Sequence, residues 1–281
     1  PLHRTSLGAG FWALAGLAWL AGLDALSHLR LGAVARIALL GACSLPLLAA
    51  LPWGTELSIA REYANRSDVF GSALLRHIQL VLLATVPAVG LGVPLAWAMT
   101  RAPRLRSGLF PVLNVVQTIP SIALFGLLMA PLAWAAARAP LLAHWGISGV
   151  GLAPAVLALW LYALLPIVRS ALAGLESVPV AVSTSARAMG MTPGQVLWRV
   201  QVPLALPVLL IGLRTAVVQT TGLAAVTALV GAGGLGSIMF DGLFSAANEL
   251  VVLAVLPIVG LAVLADAGFQ ALATWLERPL A

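Results

Sequence analysis

The sequence predicts an all-α polytopic membrane protein, and three observations carry the prediction. Hydrophobic residues occupy 61% of the 281 positions and charged residues 9%, with a mean hydropathy of +1.05. A soluble domain has too little polar surface to hide so much apolar side chain. Seven stretches reach the ~20 predominantly apolar residues that a membrane-crossing helix needs, and the arginines between them are distributed unevenly over alternate breaks.

The runs are 8–26, 33–52, 75–99, 109–136, 150–173, 205–230 and 249–275. The first lacks the basic start and cleavage site of a signal peptide and is followed by a second apolar run, so it reads as a span. The first two spans stand apart as an N-terminal unit, 1–52. Residues 53–71, "PWGTELSIAREYANRSDVF" with its neighbours, form a polar linker on the extracytoplasmic side, and the core runs over 72–277.

Orientation follows from the breaks. Arg30 and Arg36, then Arg101, Arg104 and Arg106, then Arg169, Arg187 and Arg199, and finally Arg278 fall on one side if all seven runs span. The positive-inside rule makes that side cytoplasmic, with the C-terminus in and the N-terminus out. On the other side Arg61 and Arg66 are balanced by Glu56, Glu62 and Asp68, a second loop carries only Arg138 and the N-terminus carries Arg4. Arg76 at the start of the third span makes the asymmetry a moderate one. Trp53, Trp134, Trp145 and Trp275 lie near span ends, where an aromatic belt places them.

Several function classes are excluded. The 15 basic residues are all arginine and give a formal charge of +6. They are scattered, without interleaved aromatics or a DNA-binding motif, so nucleic acid is not the partner. The lone Cys43 permits no internal disulfide. His3, His28, His77 and His144 have no second ligand at helical spacing, so no metal site is expected. "GAGGLG" at 231–236 fits G-x-G-x-x-G through Gly231, Gly233 and Gly236, but it ends a span instead of opening a helix after a strand. Its glycines serve a tight turn or a close helix approach. No nucleophile elbow, P-loop or catalytic constellation is present, so no enzyme activity is expected and energy for any active work must come from a partner.

"STSARAMGMTPGQVLWRVQVPLALP", residues 183–207, is too polar to span and too apolar to lie free in water. Residues 178–189 can form one short helix and 194–202 another, with Pro193 after Thr192 suited to a helix start. The product is a helix-turn-helix elbow on the cytoplasmic face that wants a partner groove.

Gly190, then nine residues, then Val200-Gln201-Val202-Pro203 resembles the coupling loop of ABC importer permeases, in which Glu-Ala-Ala, three residues, glycine, nine residues and Ile-x-Leu-Pro follow in order. Thr184-Ser185-Ala186 stands in the Glu-Ala-Ala positions, a departure that removes the family's glutamate. "QTIPSIALFG" at 117–126, "LYALLPIVRSAL" at 161–172, "MGMTPGQVLWRVQVPLALPVLLIGLRTA" at 189–216 and "ALVGAGGLGSIMFDG" at 228–242 are similar to permeases of the quaternary-amine branch, importers of glycine betaine, choline and carnitine. The resemblance implies a five-helix type I importer core at about 72–277, plus two extra N-terminal helices. It also implies a coupling loop at about 176–205 in which Thr184, Ser185, Ala186, Gly190, Thr192, Pro193, Val200 and Pro203 meet a cytoplasmic ABC ATPase. A periplasmic or lipid-anchored solute-binding protein and a second permease, identical or similar, complete the assembly in the bacterial cytoplasmic membrane. ATP and magnesium then belong to the ATPase, and this chain binds no cofactor and no metal.

Polar residues inside the spans are the candidates for the pathway. Pro120 interrupts a long apolar run with Gln117, Thr118 and Ser121 around it, and the reading is either a gate or a kink satisfied by neighbouring helices. Gln219, Thr220 and Thr221 cluster in the sixth span, and Tyr162 lies in the fifth. Arg214 is roughly 10 Å along its helix from Pro207 and Asp266 roughly 14 Å from Trp275. Equal depth suggests a structural ion pair, with snorkelling of Arg214 as the alternative. The rival class, an ion-coupled secondary transporter, would need a coupling-ion site, and the sequence offers none that stands out.

Overall fold

The computed structural model describes residues 58–139 and 146–277, with isolated positions at 10, 14, 16–18, 21, 22, 141 and 144. The spans expected at 8–26 and 33–52 lie outside the described residues save for those isolated positions, as do Arg30, Arg36, Trp53, Trp145 and Arg278.

The described chain is helical throughout. In order it forms α1 (Ser58–Asn65), α2 (Ser67–Arg101), α3 (Pro103–Thr118), α4 (Ser121–Arg138), α5 (Leu152–Ser177), α6 (Val180–Ala188), α7 (Pro193–Val196), α8 (Val202–Val226), α9 (Leu235–Phe244) and α10 (Asn248–Glu277). A π-turn at Leu197–Gln201 precedes α8 and a 3-10 turn at Thr227–Val230 follows it. Five segments are long and apolar enough to cross a membrane: Ser67–Arg101, Ser121–Arg138, Leu152–Ser177, Pro193–Val230 and Asn248–Leu276.

Helix α5 is the axis of the bundle. Its most apolar stretch is 61% buried, against 11–33% for the other four, because α2 and α8 pack along its length. The contacts are built from small side chains: Ala84, Ala88, Ala155, Ala158, Ala216 and Ala224 are wholly buried. Between lipid-immersed helices there is no hydrophobic drive to associate, so close backbone approach and van der Waals contact hold them. A second apolar cluster joins Ala73 of α2, Leu235 and Ile238 of α9 and Leu250, Leu253 and Ala254 of α10. Ala225 of α8 also sits in it, so α10 starts beside the end of α8 and returns antiparallel to it.

The structure corrects the sequence reading in three places. The run 109–136 is not one span with a kink. It is two helices separated at Ile119–Pro120, where Ile119 is extended (φ −70°, ψ 127°). The span at 75–99 begins earlier, at Ser67, directly after α1, which occupies much of the stretch read as a linker. The run after "GAGGLG", to which the sequence reading assigned no element, folds into the ten-residue helix α9.

Candidate coupling elbow and transport pathway

The elbow at 180–203 has a heart and an open face. Ser183, Ala186 and Val196 are buried between its arms (9%, 3% and 2% exposed). Gln201 Nε2 donates to Ser183 Oγ across them at 3.3 Å. The first arm, α6, ends in a Schellman motif: Gly190 N–H donates to the Arg187 carbonyl (2.9 Å) and Met191 N–H to the Ala186 carbonyl (3.2 Å). Gly190 sits at the left-handed position with φ +87°, and a β-carbon built on it would touch nothing. It provides the turn and makes no close approach.

The second arm begins with a capping box. Thr192 Oγ1 accepts from Gln195 N–H (3.4 Å) and Gln195 Oε1 accepts from Thr192 N–H (2.9 Å), with Pro193 at the first helical position as anticipated. The helix expected over 194–202 is instead the single turn α7, which runs through the π-turn into α8 without a break. Pro203 supplies the reason. In a regular helix its ring would crowd the Arg199 carbonyl, and the wider π-turn, with Val202 N–H bonded to the Leu197 carbonyl, relieves that clash. The second arm of the elbow is thus helically continuous with α8. Thr184, in the glutamate position, donates its hydroxyl back to the Val180 carbonyl (2.9 Å), and Ser185 is exposed. Val180, Met189 and Trp198 stand 80%, 73% and 70% exposed around the outer face, while Val200 is half-buried.

The polar residues expected along the pathway divide into two groups. Gln117, Tyr162 and Gln219 come together at the α3–α4 break. Gln219 Nε2 donates to Gln117 Oε1 (3.3 Å), Gln117 Nε2 donates to the Tyr162 carbonyl (2.6 Å), and the Tyr162 hydroxyl donates to the Ile119 carbonyl. That carbonyl is one of those the break takes out of helical bonding, so α5 caps the end of α3 from the side. Pro120 opens α4 and Ser121 is its first residue. Thr118, by contrast, bonds only to the Val115 carbonyl of its own helix (2.7 Å) and is exposed. Thr220 is wholly buried and turned away from the cluster's hydrogen bonds, its Oγ1 unpartnered among the described residues.

With this geometry in hand, a family profile described as "Binding-protein-dependent transport system inner membrane component" matches residues 88–278. This protein belongs to that family. A second profile, "ABC transporter permease YehY, N-terminal domain", matches residues 1–60. Among curated relatives, the osmoprotectant import permease protein OsmW of Salmonella typhimurium is 40% identical over 202 residues, covering 72% of this chain and 89% of that one. The glycine betaine/carnitine/choline transport system permease protein OpuCD of Bacillus subtilis is 38% identical over 219 residues, covering 78% and 87%. An inward-facing structure of the MetNI methionine ABC transporter shares the fold with TM-score 0.59 at 22% identity, over 72% of this chain and 95% of that one. The chain is a multi-pass membrane permease, a transport component and not an enzyme, and an importer of this family works with an ATPase and a substrate-binding protein.

Two further features of the permease surround this centre. Arg214 Nε and Asp266 Oδ1 form an ion pair between α8 and α10, and Gln270 Nε2 donates to the other carboxylate oxygen (2.8 Å). Both charges keep about a third of their surface exposed (39% and 33%). Sequence reasoning passed over His77, which is wholly buried in α2. Its Nε2 lies 3.0 Å from the Thr221 carbonyl of α8, so that nitrogen carries the proton, and Nδ1 has no partner among the described residues. The glycine loop lies against it. Gly234 packs on His77, Arg76 Nε donates to the Ala232 carbonyl (3.0 Å), and Gly236 abuts the Ala225 carbonyl so closely that any β-carbon would collide. A lone buried histidine in an apolar helix was the available signal. Its neighbours come from 144 or more residues away, and nothing local in the sequence points to them.

Proposed function

We propose that this permease is the membrane-spanning subunit of an ATP-driven importer for small quaternary amines of the glycine betaine, choline and carnitine class. The substrate class is supported by what the 38–40% identical relatives are named for. The coupling role is supported by one observation above the rest: the elbow is capped at both arms, internally bonded, and helically continuous with α8. Such an elbow moves as a lever, and an ATPase closing on its exposed apolar face would rotate α8 with it.

The elbow end of the bundle carries Arg101, Arg104, Arg106, Arg187 and Arg199 against Glu176, while the opposite end mixes Arg61, Arg66, Arg76 and Arg138 with Glu62, Asp68, Asp241 and Glu249. That asymmetry supports a cytoplasmic elbow and, with it, a cytoplasmic end of α10. ATP and magnesium bind to the partner ATPase. A second permease, identical or similar, lines the pathway, and a binding protein delivers the solute from outside.

The test is purification of the tagged chain from its native membrane in mild detergent, identification of co-purifying proteins and an ATPase assay. An ATPase stimulated by solute-loaded binding protein is the expected result. Gly190→Trp, which forces a bulky residue into the left-handed turn at the contact, should weaken ATPase docking and uncouple uptake. Uptake that continues without any ATPase would overturn the reading in favour of an ion-coupled transporter.

A further inference from the structure

Like α4, in which only Leu124 and Phe125 are buried, helix α3 is lightly seated on the bundle. Of its sixteen residues only Leu113 is buried, and Val112 and Val115 point outward. Leu109, Phe110 and Leu113 pack it against α2 and α5, and a row of polar clips at helical spacing joins it to α5 as well. Arg106 Nη1 pairs with Glu176 Oε1 at 2.5 Å, Arg169 Nη2 donates to Asn114 Oδ1 at 3.0 Å, and Gln117 Nε2 donates to the Tyr162 carbonyl at 2.6 Å. From 106 to 117 on α3 and from 176 back to 162 on α5 the two helices run antiparallel, clipped at both ends. An element with little buried apolar surface and exposed polar bonds is one that moves at low cost.

The two ends of the row touch the two parts of the machine. Glu176 is the second-last residue of α5, four residues before the elbow starts at Val180. Gln117 abuts the Ile119–Pro120 break and holds Gln219 of α8. We infer that α3 is a transmission arm: the Arg106–Glu176 pair carries displacement of the elbow along α3 to the break, where the Gln117–Gln219 contact opens and closes the central pathway. The inference rests on the coupling role proposed for the elbow. Arg106 and Glu176 are positioning residues in it. Their pair is half-exposed on both sides (49% and 45%), so it is weak enough to be remade in each cycle.

The experiment uses the complete transporter in proteoliposomes and measures solute taken up per ATP hydrolysed. Glu176→Gln should leave binding-protein-stimulated ATPase activity and thermal midpoint unchanged while uptake per ATP falls by about two- to five-fold, the range open to an exposed pair. Arg106→Glu should do the same, and the Arg106→Glu/Glu176→Arg exchange should restore uptake per ATP. Unchanged coupling in both single variants would overturn the inference, as would an exchange variant that stays uncoupled. Loss of stimulated ATPase activity in wild type would instead sink the importer reading itself, so the two failures are distinct.

Discussion

Gly190 and Gly236 both sit at positions that the sequence marks as turns, and they are there for opposite reasons. Gly190 needs a left-handed backbone with open space around it, whereas Gly236 needs the absence of a side chain against the Ala225 carbonyl. Gly190→Ala should therefore cost about 1–2 kcal/mol, the left-handed penalty of an L-residue, and still yield folded protein. Gly236→Ala forces α8 and α9 apart and should sharply reduce the yield of monodisperse permease on size exclusion. Equal yields of the two variants would contradict this account. Arg214 and Asp266 offer a second residue-scale prediction. Because both remain about one-third exposed, a double-mutant cycle to alanine, followed by thermal melting in detergent, should give a coupling of about 0.5–1 kcal/mol. Zero coupling would assign Arg214 to snorkelling.

At the scale of elements, the break between α3 and α4 is the feature hydropathy could not show. Its apolar run is continuous, and Pro120 announces a disturbance without saying whether the helix bends or ends. Pro120 pushes Ile119 out of the helical region, and Tyr162, 43 residues away, satisfies the end by donating its hydroxyl to the Ile119 carbonyl. Tyr162→Phe should destabilise the fold by about 0.6 kcal/mol, the mean for an interhelical hydrogen bond in a membrane. Pro120→Ala should behave differently: by letting the helix continue it should leave the melting temperature equal or higher while uptake falls. A Pro120→Ala variant with wild-type uptake would show the break to be packing and not pathway. The elbow was more legible, since Thr192, Pro193 and Gly190 are local signals for a cap, a start and a stop. Its continuity with α8 was not, because a π-turn has no sequence mark beyond the proline that follows it.

For the whole molecule, α2, α5 and α10 run parallel to one another with α8 antiparallel to them, and this order sets a single prediction of topology. With Cys43 replaced by alanine, a cysteine at Asn65 should react with an impermeant thiol reagent from outside. Cysteines at Ser185 and Thr274 should react only after the membrane is opened. Labelling of Ser185 from outside would reverse the orientation and remove the elbow from reach of a cytoplasmic ATPase.

Composition and hydropathy by themselves determined that this chain is a helical membrane protein, where most of its core spans lie, and where a polar elbow interrupts them. Each of these is a property of consecutive residues, since a bilayer sorts segments by length and apolarity. The motif spacing around Gly190 named the family for the same reason. Only the tertiary structure decided that Gln117 meets Gln219, that Arg106 meets Glu176, that Tyr162 caps the end of α3, and that His77 lies under the glycine loop. Those pairings depend on the rotation and register of helices 43–144 residues apart, which small-residue contacts at the α2–α5–α8 interfaces set and no local pattern encodes.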